Sequence, residues 1–386
     1  MNAGIPAEES DHRRTRQQNE QQDRGRRGFF PRGRLSPESL LKSTRYHPAA
    51  GTYPQVRAAG PHEKETAPLA WRGKTYRELI TEILESDLSV LRRRTTEAGP
   101  YDPVVICVIR DDLLRLKLFL EYYRAAGIRA FAFLDDHSSD GTREYLLEQP
   151  DVTVYTASRP YTSCRRRAWI NLIAETEGTG RWYMVLDSDE LFDYRDRENR
   201  PVPELTAWLE RKKAKCVKAV MVDMFSPEKL YDDSIRTPDD IVRVQNRFDS
   251  RFRIETVEGV EYVTAAGGRN RLFDAGGLDI LLSKYPLVFW DRKLVMVTSH
   301  RFLPKGRNRP GRPDTVLRHY KFLPGDREKY ALRVREGNFV HGSREYRQYM
   351  DHEKSGEAYR DCIRGFGTYQ SYDSFAAIGI LEDVWD

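Results

Sequence analysis

The chain has 386 residues, 39% of them hydrophobic and 32% charged, with a formal net charge of +5 and a mean hydropathy of -0.70. Such polarity excludes a helical membrane protein: the most apolar runs, Val104–Ile109 and Tyr183–Leu186, are strand-sized and well short of the ~18–20 residues that span a bilayer. The small basic excess suits an anionic ligand but is ordinary for a soluble protein and decides nothing by itself.

Residues 1–65 read as a disordered basic and polar tail. Segments such as SDHRRTRQQNEQQDRGRRG and RYHPAAGTYP lack the apolar periodicity needed to offset the entropy of ordering. Their arginines would also favour anionic lipid headgroups. No apolar segment follows them, so no secretory signal is expected; cytoplasmic residence is, with peripheral contact at the inner membrane face. A helical lead-in occupies 66–99, with a helix over Thr75–Leu91 carried by Leu79, Ile80, Ile83, Leu84 and Leu88 at helical spacing.

From residue 100 strands and helices alternate. Continuous apolar runs at Val104–Ile109, Ala130–Leu134, Val152–Tyr155, Trp182–Leu186 and Val217–Met224 read as buried strands. Helices are expected over Asp111–Ala126 (ended by Gly127), Thr142–Glu148, Ser163–Glu177 and Pro203–Lys213. This rhythm predicts an α/β fold with a mostly parallel sheet flanked by helices, and ligands at the carboxyl ends of its strands. Asn246–Thr264 suggests a hairpin or an irregular insertion. Further strands fall at Leu287–Trp290, Leu294–Val297 and Val316–Phe322. The domain so defined runs 100–325, and 326–386 forms a C-terminal helical extension. The cysteines, Cys107, Cys164, Cys216 and Cys362, form no CxxC pair, against a zinc site or disulfide framework.

The chemistry centres on LDSDELF, Leu186–Phe192. Asp187 and Asp189 follow a buried strand at i and i+2, where both carboxylates can turn to one point and share a divalent cation with phosphate oxygens. A single DxD also suits a solvated acidic turn. A second acidic loop, FLDDHSSDGT, ends the Ala130–Leu134 strand with Asp135 and Asp136, suited to a base and ribose; Asp140 or Ser139 reads as a helix cap.

Strands ending in RDD, DDHSSDGT and DSDE together resemble the family 2 glycosyltransferases with the GT-A fold. The similarity is to the bacterial branch whose first strand ends in an R-N-E-like triplet and whose DxD reads D-x-D-E. Arg110-Asp111-Asp112 fills the triplet with Asp for both Asn and Glu, and WINLIAETEGTGRWYMVLDSDELF matches the approach to the DxD. The resemblance covers Pro103–Phe225 and, more loosely, the tract to Phe322. It implies inverting transfer from a UDP- or GDP-sugar to a glycan or lipid-linked acceptor, with Mn²⁺ or Mg²⁺ and no nucleic acid. Arg110, Asp111, Asp135 and Asp136 would then serve the nucleoside, Asp187 and Asp189 the metal-diphosphate, and Glu190 would support their loop.

Downstream, GGRNRLF, SKYPLVFW and LRHYKF resemble segments of the same branch. His319 is the candidate third metal ligand, with His300 its rival. Arg269, Arg271, Lys284 and Lys321 would offset diphosphate charge, as would Arg165-Arg166-Arg167 unless that run is simply solvated. An inverting transfer needs a base; Asp223 is the first candidate, Asp274 and Asp279 the others, although the family's usual Glu-Asp pair is not visible.

Three alternatives fit less well. A haloacid-dehalogenase-type phosphotransferase places Thr or Val where Leu191 stands, and early in its domain. A nucleotidyltransferase has a Gly-rich first loop where this chain has RDDLLRLK. A non-catalytic nucleic-acid or membrane-surface module would interleave basic and aromatic residues on one face, whereas these strand ends are acidic.

Overall fold

Apolar runs become the strands of a central sheet because helices cover both of its faces. The protein, seen here in a computed structural model, is described over residues 73–257, 260–273, 280–298, 300–337 and 340–386. The expected tail and the candidate bases Asp274 and Asp279 lie outside these residues.

The first half contains α1 (Gly73–Leu84), β1 (Ser89–Arg92), β2 (Val104–Ile109), α2 (Leu113–Ala125), β3 (Ala130–Asp135), α3 (Thr142–Glu148), β4 (Val152–Thr156), α4 (Ser163–Glu177), β5 (Arg181–Val185), β6 (Glu190–Asp193) and α5 (Val202–Arg211). Then come β7 (Ala219–Phe225), α6 (Pro238–Val244), β8 (Arg247–Phe248), the hairpin β9 (Phe252–Val257) and β10 (Val260–Ala265), α7 (Arg269–Leu272), β11 (Ser283–Lys284), β12 (Leu287–Trp290), β13 (Val295–Thr298), β14 (Arg301–Leu303) and β15 (Thr315–His319). The chain closes with α8 (Asp326–Glu336), α9 (Val340–Asp351), α10 (Gly356–Ile363) and β16 (Gly367–Thr368).

The main sheet has the order β1-β4-β3-β2-β5-β12. Its four inner strands are parallel, and β1 and β12 close the edges antiparallel. Alternate residues of β2 serve different faces: Val105 and Cys107 join one core cluster, Val104 and Ile106 another with Trp169 and Ile170 of α4. The α/β expectation is met.

Three features differ from the sequence reading. The first helix stops at Leu84, because Ser89–Arg92 pairs along β4, Ser89 opposite Thr156; edge pairing overrides helical spacing. The acidic motif runs straight into β6, which periodicity did not reveal. The fifth expected strand, β7, joins not the parallel sheet but a second one, ordered β16-β8-β7-β15-β6. Every residue of β7 is buried, and an apolar run of that kind does not say which sheet holds it. In this second sheet β15 lies parallel to β7 and antiparallel to β6, with His319 opposite Asp223 and Glu190 respectively.

One core joins the sheets: Cys107 and Phe133 belong to the same cluster as Leu191, Val222 and Leu317. The C-terminal region is not purely helical, since β16 pairs with β8. Its helices bring Tyr330, Tyr346, Tyr349 and Tyr359 against Phe322 and Phe273. Among the described residues no helix is long and apolar enough to cross a membrane.

Candidate functional site

Parallel register brings the acidic loops together. Ile109 pairs with Asp135, and Ile106 with Val185, so β2, β3 and β5 end at one edge. The loop after β2 and the loop after β3 are laced to each other. The Asp111 amide donates to Ser138 Oγ (2.9 Å), and the Ser139 amide to Asp111 Oδ1 (2.6 Å). Asp140 accepts from the Leu113 and Thr142 amides (3.1 and 3.0 Å), although the N-cap of α3 is Gly141 and not Asp140 or Ser139. Asp111 (φ 48°) and His137 (φ 59°) take left-handed backbone, a conformation that Asp and His adopt more readily than most residues. These hydrogen bonds hold the strain in place.

A cavity of about 710 Å³ opens at this edge. Of the sequence candidates, Arg110, Asp111, Asp136, Arg166, Arg167, Asp187, Asp189, Arg269, Lys284, His300, His319 and Lys321 line it. Both acidic loops therefore share one cleft. Asp136 is nearly buried, and desolvation raises its pKa.

The two motif aspartates have different surroundings. Asp187 Oδ1 accepts from Arg166 Nη2, and Asp187 Oδ2 lies 2.9 Å from Lys284 Nζ. The same ammonium donates to Glu190, whose other oxygen accepts the Asp187 amide (3.1 Å). Burial opposes ionisation of Asp187, but Arg166 and Lys284 outweigh it and hold its carboxyl far below the usual range. Glu190 goes the other way: burial raises its pKa despite Lys284. Asp189 meets no lysine or arginine side chain at hydrogen-bond distance in any described contact; its Oδ2 lies 3.2 Å from His319 Nε2. Burial again opposes its ionisation, and His319 outweighs it. Burial also works against a charged His319, yet Asp189 and Asp223 bring its pKa up.

Carboxylate oxygens of Asp187, Asp189 and Glu190 come within 4.8 Å of one another. For a divalent cation the better-fitting pair is Asp189 and His319. Their 3.2 Å separation is close to the edge, about 3.0 Å, of an octahedron with metal–ligand bonds of about 2.1 Å, and Mn²⁺ tolerates an imidazole although it prefers oxygen ligands.

The remaining candidates sit off the wall. Asp135 is fully buried, and its Oδ2 accepts from Arg143 Nε (2.6 Å) and the Ser138 amide (3.3 Å). Arg271 faces Asp249 (3.7 Å) and the Phe366 ring. Asp223, the first candidate base, uses one oxygen on His319 Nδ1 (2.6 Å) and the other on Arg269 Nε (2.6 Å). Burial opposes its charge, but Arg269 and His319 bring its pKa down to about 2. A carboxylate so engaged is a poor proton acceptor, and Asp223 instead stands behind the histidine.

Sequence reasoning missed other wall residues. Asp112 accepts from Ser188 Oγ, inside the acidic motif, and from Arg115 Nη1 (2.8 Å). Tyr330, Arg333, Glu345 and Tyr346 arrive from α8 and α9, where their only signal was a Tyr- and Arg-rich helical stretch.

The rival histidine, His300, also lines the cavity and donates from Nδ1 to Ser283 O (2.6 Å). Burial, with Lys284 adding to it, lowers its pKa to about 4. Its folded pKa is below the unfolded value of about 6.5, so its contribution to stability is present above pH 6.5 and lost as pH falls through 4. The thermal midpoint of wild type relative to His300→Gln should therefore drop between pH 7 and pH 4. A constant difference across that range would contradict the assignment.

No protein-family model matches the chain, and no curated protein matches it. Solved structures similar to it include a 4-diphosphocytidyl-2C-methyl-D-erythritol synthase, at 11% identity over 51% of this chain and 78% of that one, with a TM-score of 0.25. A UDP-glucose pyrophosphorylase from Acinetobacter baumanii gives 11%, 35%, 62% and 0.22 for the same quantities. A UDP-glucose pyrophosphorylase complexed with UDP-glucose gives 8%, 68%, 97% and 0.27. At such TM-scores these likenesses carry no argument about activity.

Proposed function

We propose that the protein is a metal-dependent glycosyltransferase of the family 2, GT-A kind, moving a sugar from a nucleoside-diphosphate donor to a hydroxyl of a glycan or lipid-linked acceptor with inversion. The observation that carries this reading is the convergence of Asp136 with Asp187, Asp189 and His319 on a single cavity. Acids from separate strand ends, brought together beside basic side chains, suit a ligand with a polar nucleoside at one end and a diphosphate at the other.

Asp189 and His319 would hold Mn²⁺ or Mg²⁺, with Asp187 beside them. When bound, the ion supplies positive charge to the departing diphosphate. Asp187 is kept ionised by Arg166 and Lys284, so its acceptor oxygens keep a fixed orientation. Asp136 and Arg110 line the nucleoside side of the cavity. Lys321 would face the diphosphate side as a donor, with Arg269 adding positive charge from behind Asp223, and such groups act more strongly away from water. In the transfer, the bond from the anomeric carbon to the diphosphate breaks with its electron pair going to phosphate, and the acceptor oxygen bonds to that carbon. The acceptor's proton passes to a base, for which Asp274 and Asp279 remain the candidates.

Isothermal titration of UDP and GDP with and without Mn²⁺ tests the reading. One of the two should bind at least about tenfold more tightly with the metal, a gain of about 1.4 kcal/mol. Absence of metal-linked binding for either nucleotide would overturn it.

A further inference from the structure

A continuous line of charge, buried from Asp223 to Arg269 and ending on the half-buried Glu345, runs behind His319. Its Nδ1 lies 2.6 Å from Asp223 Oδ1, and Asp223 Oδ2 accepts from Arg269 Nε at 2.6 Å. Arg269 Nη1 then donates to Glu345 Oε1 (2.6 Å) and to the Tyr349 hydroxyl (3.0 Å). Arg269 is 2% exposed and His319 4% exposed. Three elements far apart in the chain, β7, α7 and α9, thus stand in series behind one imidazole on β15.

Each link constrains the next. The Asp223 carboxylate on Nδ1 fixes the rotation of the ring, which turns Nε2 toward Asp189. Asp223 spans the two neighbours, with one oxygen on Nδ1 and the second held by Arg269. Arg269 is fixed in turn by Glu345 and Tyr349. Buried networks of this kind respond as units, because removing one charge leaves its neighbour uncompensated.

We propose that Glu345 is a positioning residue that acts through Arg269 and Asp223 to set the orientation of His319, making helix α9 a working part of the cation-facing side of the site. The metal aspect of this proposal rests on the function proposed above; the histidine aspect does not. A purely structural role, fastening α9 to the domain, would change thermal stability and leave the imidazole as it was.

The test uses the full chain with ¹⁵N-labelled histidine, as wild type, Glu345→Gln, Asp223→Asn and Arg347→Ala, the last an exposed residue of the same helix. Asp223→Asn should weaken Mn²⁺ binding, measured by titration calorimetry, by about 10- to 100-fold. Glu345→Gln, which keeps the shape and removes the charge, should weaken it by about 3- to 10-fold and shift the His319 ring-nitrogen resonances, with Arg347→Ala unchanged in both. Glu345→Gln with wild-type Mn²⁺ affinity and wild-type His319 resonances would overturn the proposal. Wild type that binds no Mn²⁺ would instead refute the metal reading, and the ring-nitrogen resonances alone would then decide the role of Glu345.

Discussion

Asp189→Ala is expected to lower glycosyl transfer by about 10²- to 10³-fold, the usual cost of removing a group that stabilises developing charge, and to abolish metal-linked nucleotide binding while the protein stays folded. The fold should persist because the described partners of the Asp189 side chain come down to His319, whose other ring nitrogen stays held by Asp223. Asp187→Ala should behave differently. It removes the shared partner of Arg166 and Lys284 and leaves two buried cations undercompensated, a change that costs stability as well as function. Thermal melts beside transfer assays separate the two cases. Equal loss of stability in both variants would contradict the distinction.

Arg115→Met should give the largest stability loss, about 3–5 kcal/mol in urea unfolding, as expected when one partner of a buried ion pair is removed. The guanidinium is 4% exposed. It donates from Nε to Tyr320 O (2.7 Å), from Nη2 to Lys321 O (2.9 Å), from Nη1 to Asp112 Oδ1 (2.8 Å), and to both oxygens of Asp326. Methionine fills the space but leaves two carbonyls and the Asp326 carboxylate without this donor. Adding Asp326→Asn removes the stranded charge, so the double variant should recover part of the loss. A double variant as unstable as the sum of the singles would show that the two residues do not act as a pair.

Much of the fold was legible in the sequence. From β2 to β5 the apolar runs and helical spacings gave element types and boundaries to within a residue or two, because those strands are covered on both faces. The second sheet was not legible. Its strand β6 begins inside the acidic motif, where Glu190 reads as a support for the loop but nothing local shows that it begins a strand or that Lys284 lies against it. Aspartates at strand ends could be named as candidates, but their partners could not. Lys284 and Glu190 are 94 positions apart, His319 and Asp223 are 96, and Arg115 and Asp326 are 211. No local pattern encodes such pairs. This is why Asp223 read as an available base when it is fully engaged, and why α8 and α9 read as an appendage although they form part of the cavity wall.

The antiparallel ladder between β6 and β15 has a bearing on how this protein can be altered. Leu191 stands opposite Arg318, and Glu190 opposite His319. Sliding either strand by a single position would exchange inner and outer faces, carrying the imidazole away from the cleft and bringing the guanidinium of Arg318 beside Asp189. Insertions between Tyr194 and Asp314 should be tolerated wherever they fall in solvent-exposed turns, whereas adding or deleting one residue within Glu190–Asp193 or Thr315–His319 should take the imidazole away from the acidic loop.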